Sequence, residues 1–127
     1  MTTFFAPQLA IPHGTASIDF YTNAFDAAVH FCLRNDDGSI HVAELSINGA
    51  LFHVHEDMER INCLNPQTAN HTAVIVGLFV PDVDAVMEKA IAAGAVVLSA
   101  ATSYDYGYRQ GEIKDPFGHV WMIEMKI

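Results

Sequence analysis

Apolar residues recur along the chain with two spacings, one helical and one strand-like, and the same succession of the two occurs twice. Ile18, Tyr21 and Phe25 stand at i, i+3 and i+7 behind a Thr/Ser start, which predicts a short amphipathic helix over 15–25. Strands are predicted over 27–33 and 40–47, separated by a turn at Asn35-Asp-Asp-Gly38, from alternation of apolar and polar positions. Asn48-Gly49 is a two-residue hairpin signal, because both central positions of a type I′ turn need positive φ, so 50–55 folds back antiparallel on 40–47. A polar stretch over 56–70 has no periodicity and reads as a connector. The succession then restarts. A β-branched run over 72–80 predicts a strand, and Pro81-Asp82 opens a helix whose stripe is Val83, Val86, Met87, Ala90 and Ile91, with Gly94 as its stop. Strands follow over 96–98, 107–114 and 119–127, the last two joined by Asp115-Pro-Phe-Gly118, which reads as turn chemistry.

Each half therefore reads strand, helix, three strands, and two such units of about seventy residues are too few to stack as a solenoid. The expected fold is α+β: two tandem βαβββ modules, about 1–58 and 70–127 with a connector over 59–69, forming a curled mixed sheet around a cavity. The length of 127 residues and a hydrophobic fraction of 51% fit one domain, 1–127, made of both modules.

Charge narrows the function classes. Asp and Glu outnumber Lys and Arg by 15 to 6, so neither nucleic acid nor an anionic membrane is an expected partner. The longest apolar run, 73–80, is too short to span a bilayer, and the N-terminus lacks a signal-type segment; a soluble, cytoplasmic protein is expected. Cys32 and Cys63 lack CxxC spacing and read as free thiols. The seven histidines, more numerous than Lys and Arg together, are the first candidates for chemistry.

Three passages resemble the vicinal oxygen chelate superfamily, which groups glyoxalases, bleomycin resistance proteins and extradiol dioxygenases, and more narrowly its PhnB-like branch. They are Ile18-Asp-Phe-Tyr-Thr-Asn-Ala-Phe25, Phe79-Val-Pro-Asp-Val-Asp-Ala85 and Tyr106-Gly-Tyr-Arg-Gln-Gly-Glu-Ile-Lys-Asp-Pro-Phe-Gly-His-Val-Trp121. The resemblance implies a glyoxalase/bleomycin resistance fold with a cup that holds a divalent ion in the metal-dependent members. The implied slots fall on Gln8, on His53 four residues after Gly49, on Ile75 or Gly77, and on Met122 four residues after Gly118. Only the first two offer a ligand suited to a hard or borderline metal. A shifted set would have to draw on His53, His55, His71 and Glu124.

The expected function is therefore small-molecule binding by a homodimer of the PhnB-like branch, with no cofactor and without the usual catalytic metal. Its expected ligand-binding residues are Tyr106, Tyr108, Arg109, Trp121, Met122, His53 and His55, an aromatic wall with one cation suited to a flat or anionic molecule. The alternative is a metal-dependent lyase, isomerase or dioxygenase of glyoxalase type using Gln8, His53 and Glu124. A third reading is a structural dimer that serves as a partner module.

Overall fold

A computed structural model describes residues 1–127. The first module comprises β1 (Gln8–Ile11), α1 (Asp19–Phe25), β2 (Ala28–Arg34), β3 (Ile40–Ile47) and β4 (Ala50–Glu56). A 3-10 turn (Glu59–Ile61) and α2 (Pro66–Ala69) occupy the connector. The second module comprises β5 (Ile75–Phe79), α3 (Val83–Ala92), β6 (Val96–Tyr104), β7 (Tyr108–Lys114) and β8 (Val120–Lys126). Each module builds one four-stranded mixed sheet, in the orders β1-β4-β3-β2 and β5-β8-β7-β6. Within each, only the first and last strands pair in parallel, as β1 with β4 and β5 with β8. The chain is thus an α+β fold of two βαβββ modules.

Local chemistry explains the element boundaries. Asn48 and Gly49 adopt φ of 48° and 86°, as the type I′ hairpin requires. Asp82 caps α3 by accepting from the Ala85 amide at 3.1 Å, and Gly94 ends it at φ 112°. Helix α1 begins later than its Thr/Ser start predicts. Thr15 is tied back to Pro12 and accepts the Ile40 amide, and Ser17 Oγ accepts the Asp19 amide, so these residues set the entry rather than the first turn. The connector is ordered by polar contacts that leave no hydrophobic signature. Asn65, fully buried, donates from its backbone and side chain to Asp57 and accepts from the Thr68 amide to cap α2. Strand β6 is longer than its apolar run because bulges near Ser99 break the alternation without ending the pairing.

One core joins the modules. Phe52 and Val54 from β4, Trp121 and Ile123 from β8, and the inner stripes of α1 and α3 form a single buried cluster. The Phe52 and Trp121 rings lie 5.7 Å apart, and Tyr21 touches both. Asp115, 3% exposed, locks this junction. Its Oδ1 accepts the amides of Phe117 and His119, while Oδ2 accepts Tyr21 Oη–H at 2.6 Å and Trp121 Nε1–H at 3.0 Å. The turn residue is therefore also the polar bond between the two modules. Burial, and then the Asp115 carboxylate, push the Tyr21 phenol well above its ordinary range, which keeps it a donor. No helix is long and apolar enough to cross a membrane.

Candidate functional site: two open sheet faces

Strand alternation settles which side chains are available. Since Phe52 and Val54 face the core, Leu51, His53 and His55 of β4 face away from it; since Trp121 and Ile123 face the core, Val120, Met122 and Glu124 do the same in the second sheet. The two core-facing sides meet each other, so the two opposite sides point apart. Each module thus presents one open wall.

The first wall carries Gln8, His53, Glu44 and Phe31 in adjacent strands, with Gln8 and Glu44 both in register with His53. The Gln8 side-chain amide lies 2.6 Å from His53 Nδ1, and His53 Nε2 lies 3.9 Å from Glu44 Oε1. Glu44 was not among the residues the sequence singled out, although alternation along 40–47 opposes it to the buried Ala43 and Leu45. Further along β4, His55 bonds the Glu56 carbonyl and packs edge-on against His41, whose Nδ1 lies 2.9 Å from Glu56. The second wall carries Phe79, Tyr108, Gln110, Met122 and Glu124. Tyr104 and Tyr106 stack at its end, Tyr106 reaches Tyr108, and Phe79 meets Tyr108 edge-on. Tyr106 Oη–H donates to Gln110, whose amide donates to Glu124 Oε1 at 2.9 Å. Desolvation, then Tyr104 and Glu124, push the Tyr106 phenol up.

Among the predicted ligand residues, His53, His55, Tyr106, Tyr108 and Met122 therefore occupy open walls, on two different modules. Arg109 and Trp121 do not. Arg109 follows Tyr108 on the strand and so faces α3, where it forms a bidentate pair with Asp84 at 2.7 and 3.0 Å that also holds the Asp84 carboxyl below its ordinary value. Trp121 is 1% exposed and lies in the core.

The metal slots can be tested on the same geometry. Gly77 and Met122 sit side by side in register and supply no suitable ligand, and the Gln8 amide is engaged with His53. Two of the four slots that the metal-dependent members use, Gly77 and Met122, therefore carry no ligand suited to their metal. The shifted donors His53, His55, His71 and Glu124 do not converge within a chain; counting His, Cys, Asp and Glu alone, the group of three whose donor atoms lie within 4.8 Å of one another is His13, Asp57 and Glu59. His13, Asp57 and Glu59 are held by other contacts: Asp57 accepts from Asn65, and His13 bridges Glu59 at 2.7 Å and Glu56 at 3.5 Å. The remaining histidines, His30, His71 and His119, bond Ser46, the Ala69 carbonyl and the Ala10 carbonyl. Both cysteines are free.

The Glu59 hydrogen bond raises the His13 imidazole above 6.5; the His41 hydrogen bond chiefly lowers Glu56, and a bond to its own backbone amide, then His13, lowers Glu59, both below 4.5. The His13 contribution to stability is full below 6.5 and disappears as pH rises through the raised value. The carboxylate contributions are full above 4.5 and disappear as pH falls through the lowered values. Between 4.5 and 6.5 the contributions of His13, Glu56 and Glu59 are all present. A proton NMR titration is expected to place the His13 midpoint above 6.5, and to return it toward that value in Glu59→Gln. A midpoint unmoved by that substitution would contradict the pairing.

Comparison with known proteins agrees with the architecture. The sequence profile of the Glyoxalase/Bleomycin resistance protein/Dioxygenase superfamily matches residues 5–123. An uncharacterized protein of Mycobacterium bovis, Mb0911c, is 35% identical over 121 residues, covering 93% of this chain and 80% of that one. Among solved structures, TioX from Micromonospora sp. ML1 shares the fold at TM-score 0.73 and 24% identity, covering 98% of this chain and 97% of that one. The fosfomycin resistance protein FosX from Mesorhizobium loti shares it at TM-score 0.70 and 10% identity, covering 100% and 94%. With the repeated βαβββ unit, the profile match across almost the whole chain and the mycobacterial relative, the protein belongs to the glyoxalase/bleomycin resistance protein/dioxygenase superfamily.

Proposed function

We propose that two copies of this chain form a homodimer that binds a small organic molecule, each cup being closed by the first module of one copy and the second module of the other. The observation that carries this reading is the back-to-back placement of the walls: Gln8, His53 and Phe31 point one way and Phe79, Tyr108 and Met122 the other, so one chain cannot enclose a ligand between them. The open walls are also unusually apolar for a free surface. Phe31, Leu33 and Phe79 are 42%, 55% and 57% exposed, and Val96 joins them on β6. A cavity of about 800 Å³, lined in part by Leu9, Cys63, Leu64 and Val76, separates the unpaired outer edges of β1 and β5, leaving both free to meet a second copy. The same reading agrees with the expectation of a cytoplasmic, small-molecule-binding member of the PhnB-like branch.

The ligand would lie between His53, His55 and Phe31 on one side and Tyr106, Tyr108 and Met122 on the other. Aromatic faces and a thioether give it broad, adaptable apolar contact; imidazoles and carboxylates orient it. Light scattering is expected to give twice the chain mass of 13.9 kDa, and elemental analysis no stoichiometric nickel, zinc, iron or manganese. A monomer would contradict the shared cup. A stoichiometric metal lost in His53→Ala would instead favour a glyoxalase-type metal enzyme.

A further inference from the structure

We propose that the cup is selective for flat, positively charged ligands, with the ring on Phe79, Tyr108 and Tyr106 and the charge on Glu124; this rests on the binding function proposed above. The key observation is the state of Glu124. Its residue is 8% exposed, yet no lysine, arginine or histidine comes within 4.0 Å of it. Carboxylates that deeply placed are normally paired, because losing water around a charge costs several kcal/mol unless a partner compensates. Gln110 supplies a single hydrogen bond, to Oε1. Oε2 accepts none from the protein and lies over the backbone of Gly77, 2.8 Å from where a Cβ would stand. No polar side-chain atom in the chain is both sealed from solvent and unpartnered, so Oε2 opens onto the wall rather than into the core.

Gly77 makes this arrangement. Any side chain there would occupy the space the carboxylate uses, and the glycine is in register with Met122 beside it. Around the acceptor stands an aromatic surface of matching chemistry. Phe79 is directly in register with Glu124, Tyr108 packs on Phe79, and Tyr106 is linked to Glu124 through Gln110. Cationic rings gain both from the ring faces and from the charge-assisted hydrogen bond. Arg109, the one cation that sequence proximity would put in this wall, faces α3 and is neutralised by Asp84. Lys114 and Lys126 share the face of Tyr108 and are exposed at opposite ends of the β7–β8 pair; Lys126, in register with Tyr108 and two residues from Glu124, forms no ion pair with that carboxylate within 4.0 Å. Facing these groups across the cup, the partner copy would bring the first wall, whose only fixed charge beside His53 is the carboxylate of Glu44.

The test is equilibrium binding of three flat dyes to the full chain: cationic proflavine, neutral acridine at slightly alkaline pH, and anionic 1-anilinonaphthalene-8-sulfonate. Proflavine is expected to bind most tightly. Glu124→Gln, which preserves shape, and Gly77→Ala, which displaces the carboxylate, are each expected to weaken it about tenfold. Because the atom in the way is the end of a flexible side chain, Gly77→Ala should keep the fold, checked by its melting temperature. Asp36→Asn, which removes one charge from an exposed turn, should leave binding unchanged. If Glu124→Gln binds proflavine as the unmodified protein does, or the anion binds as tightly as the cation, the charge assignment falls while the binding cup stands. Unchanged binding in Gly77→Ala would remove Gly77 from it. Binding of none of the dyes would overturn the cup as well.

Discussion

Asp115→Ala is expected to cost the native state about 3–5 kcal/mol, a large part of the roughly 5–15 kcal/mol that holds a domain together. The aspartate accepts four hydrogen bonds from buried donors, two from its own turn and one each from Tyr21 and Trp121. Alanine leaves all four donors unpaired, and leaving a buried donor unsatisfied costs more than the bond itself contributes when present. Because Tyr21 belongs to the first module and Trp121 to the second, the loss falls on the contact between modules and not on one hairpin. Asp115→Asn is expected to cost less but to remain destabilising. Its amide oxygen still serves the two backbone donors, while its NH2 group then faces the Tyr21 hydroxyl and the Trp121 N–H. Tyr21→Phe removes one donor together with its need for an acceptor, and should be the mildest of the three. Urea unfolding curves order them. A midpoint for Asp115→Ala equal to that of the unmodified protein would show that Asp115 serves its turn alone.

Trp121→Ala is expected to be as severe, at about 3–5 kcal/mol, because it opens a cavity where the modules meet. The indole is 1% exposed and touches Tyr21, Phe25 and Phe52 at ring separations between 4.9 and 5.9 Å. Removing it therefore takes contacts from α1 and β4 as well as from β8, and so little of the surrounding frame is free to collapse into the space. Trp121→Phe keeps most of the apolar volume but gives up the bond to Asp115, and should fall between the two. Trp121 is the only tryptophan, so its emission reports on this junction directly and is expected at the short wavelengths of a buried indole. If Trp121→Ala kept its stability but lost ligand binding, the residue would be a wall of the cup after all, as its sequence neighbours had indicated.

That difference shows what could be read before the fold was known. The repeat was legible because its punctuation is steric: Asn48-Gly49 and Gly118 need positive φ, and Asp82 and Gly94 bracket a helix by capping chemistry. Apolar spacing supplied the rest of each module. The connector was opaque because Asn65 and Asp57 order it by hydrogen bonds between polar residues, which carry no periodic signal. Within the site, the resemblance marks Gln8 and the repeat marks His53 as separate slots; only the fold brings the two together on adjacent strands. Grouping Tyr108 with Arg109, and Met122 with Trp121, followed nearness along the chain. Successive strand residues point to opposite faces, so Tyr108 stays on the wall while Arg109 turns to Asp84 of α3, and Met122 stays on the wall while Trp121 enters the core. The same alternation points to Glu44, and could have found it. The role of Gly77 could not be read in advance, since only the fold shows the Glu124 carboxylate lying over it.

The shared cup is tested most directly by mixing two variants that each spoil one wall. Phe31→Arg damages the first module's wall and Phe79→Arg the second module's, each removing a ring and adding a charge that repels proflavine, both at exposed positions where the fold should persist. In either homodimer every cup then has one damaged wall, and proflavine binding is expected to fail. When the two chains are unfolded together and refolded as a mixture, half the dimers are expected to be mixed. Each of those has one cup with both walls intact, so about a quarter of the native binding capacity should return. No recovery, with mixed dimers demonstrated by mass spectrometry, would show that the cup does not join walls from two chains and would contradict the account.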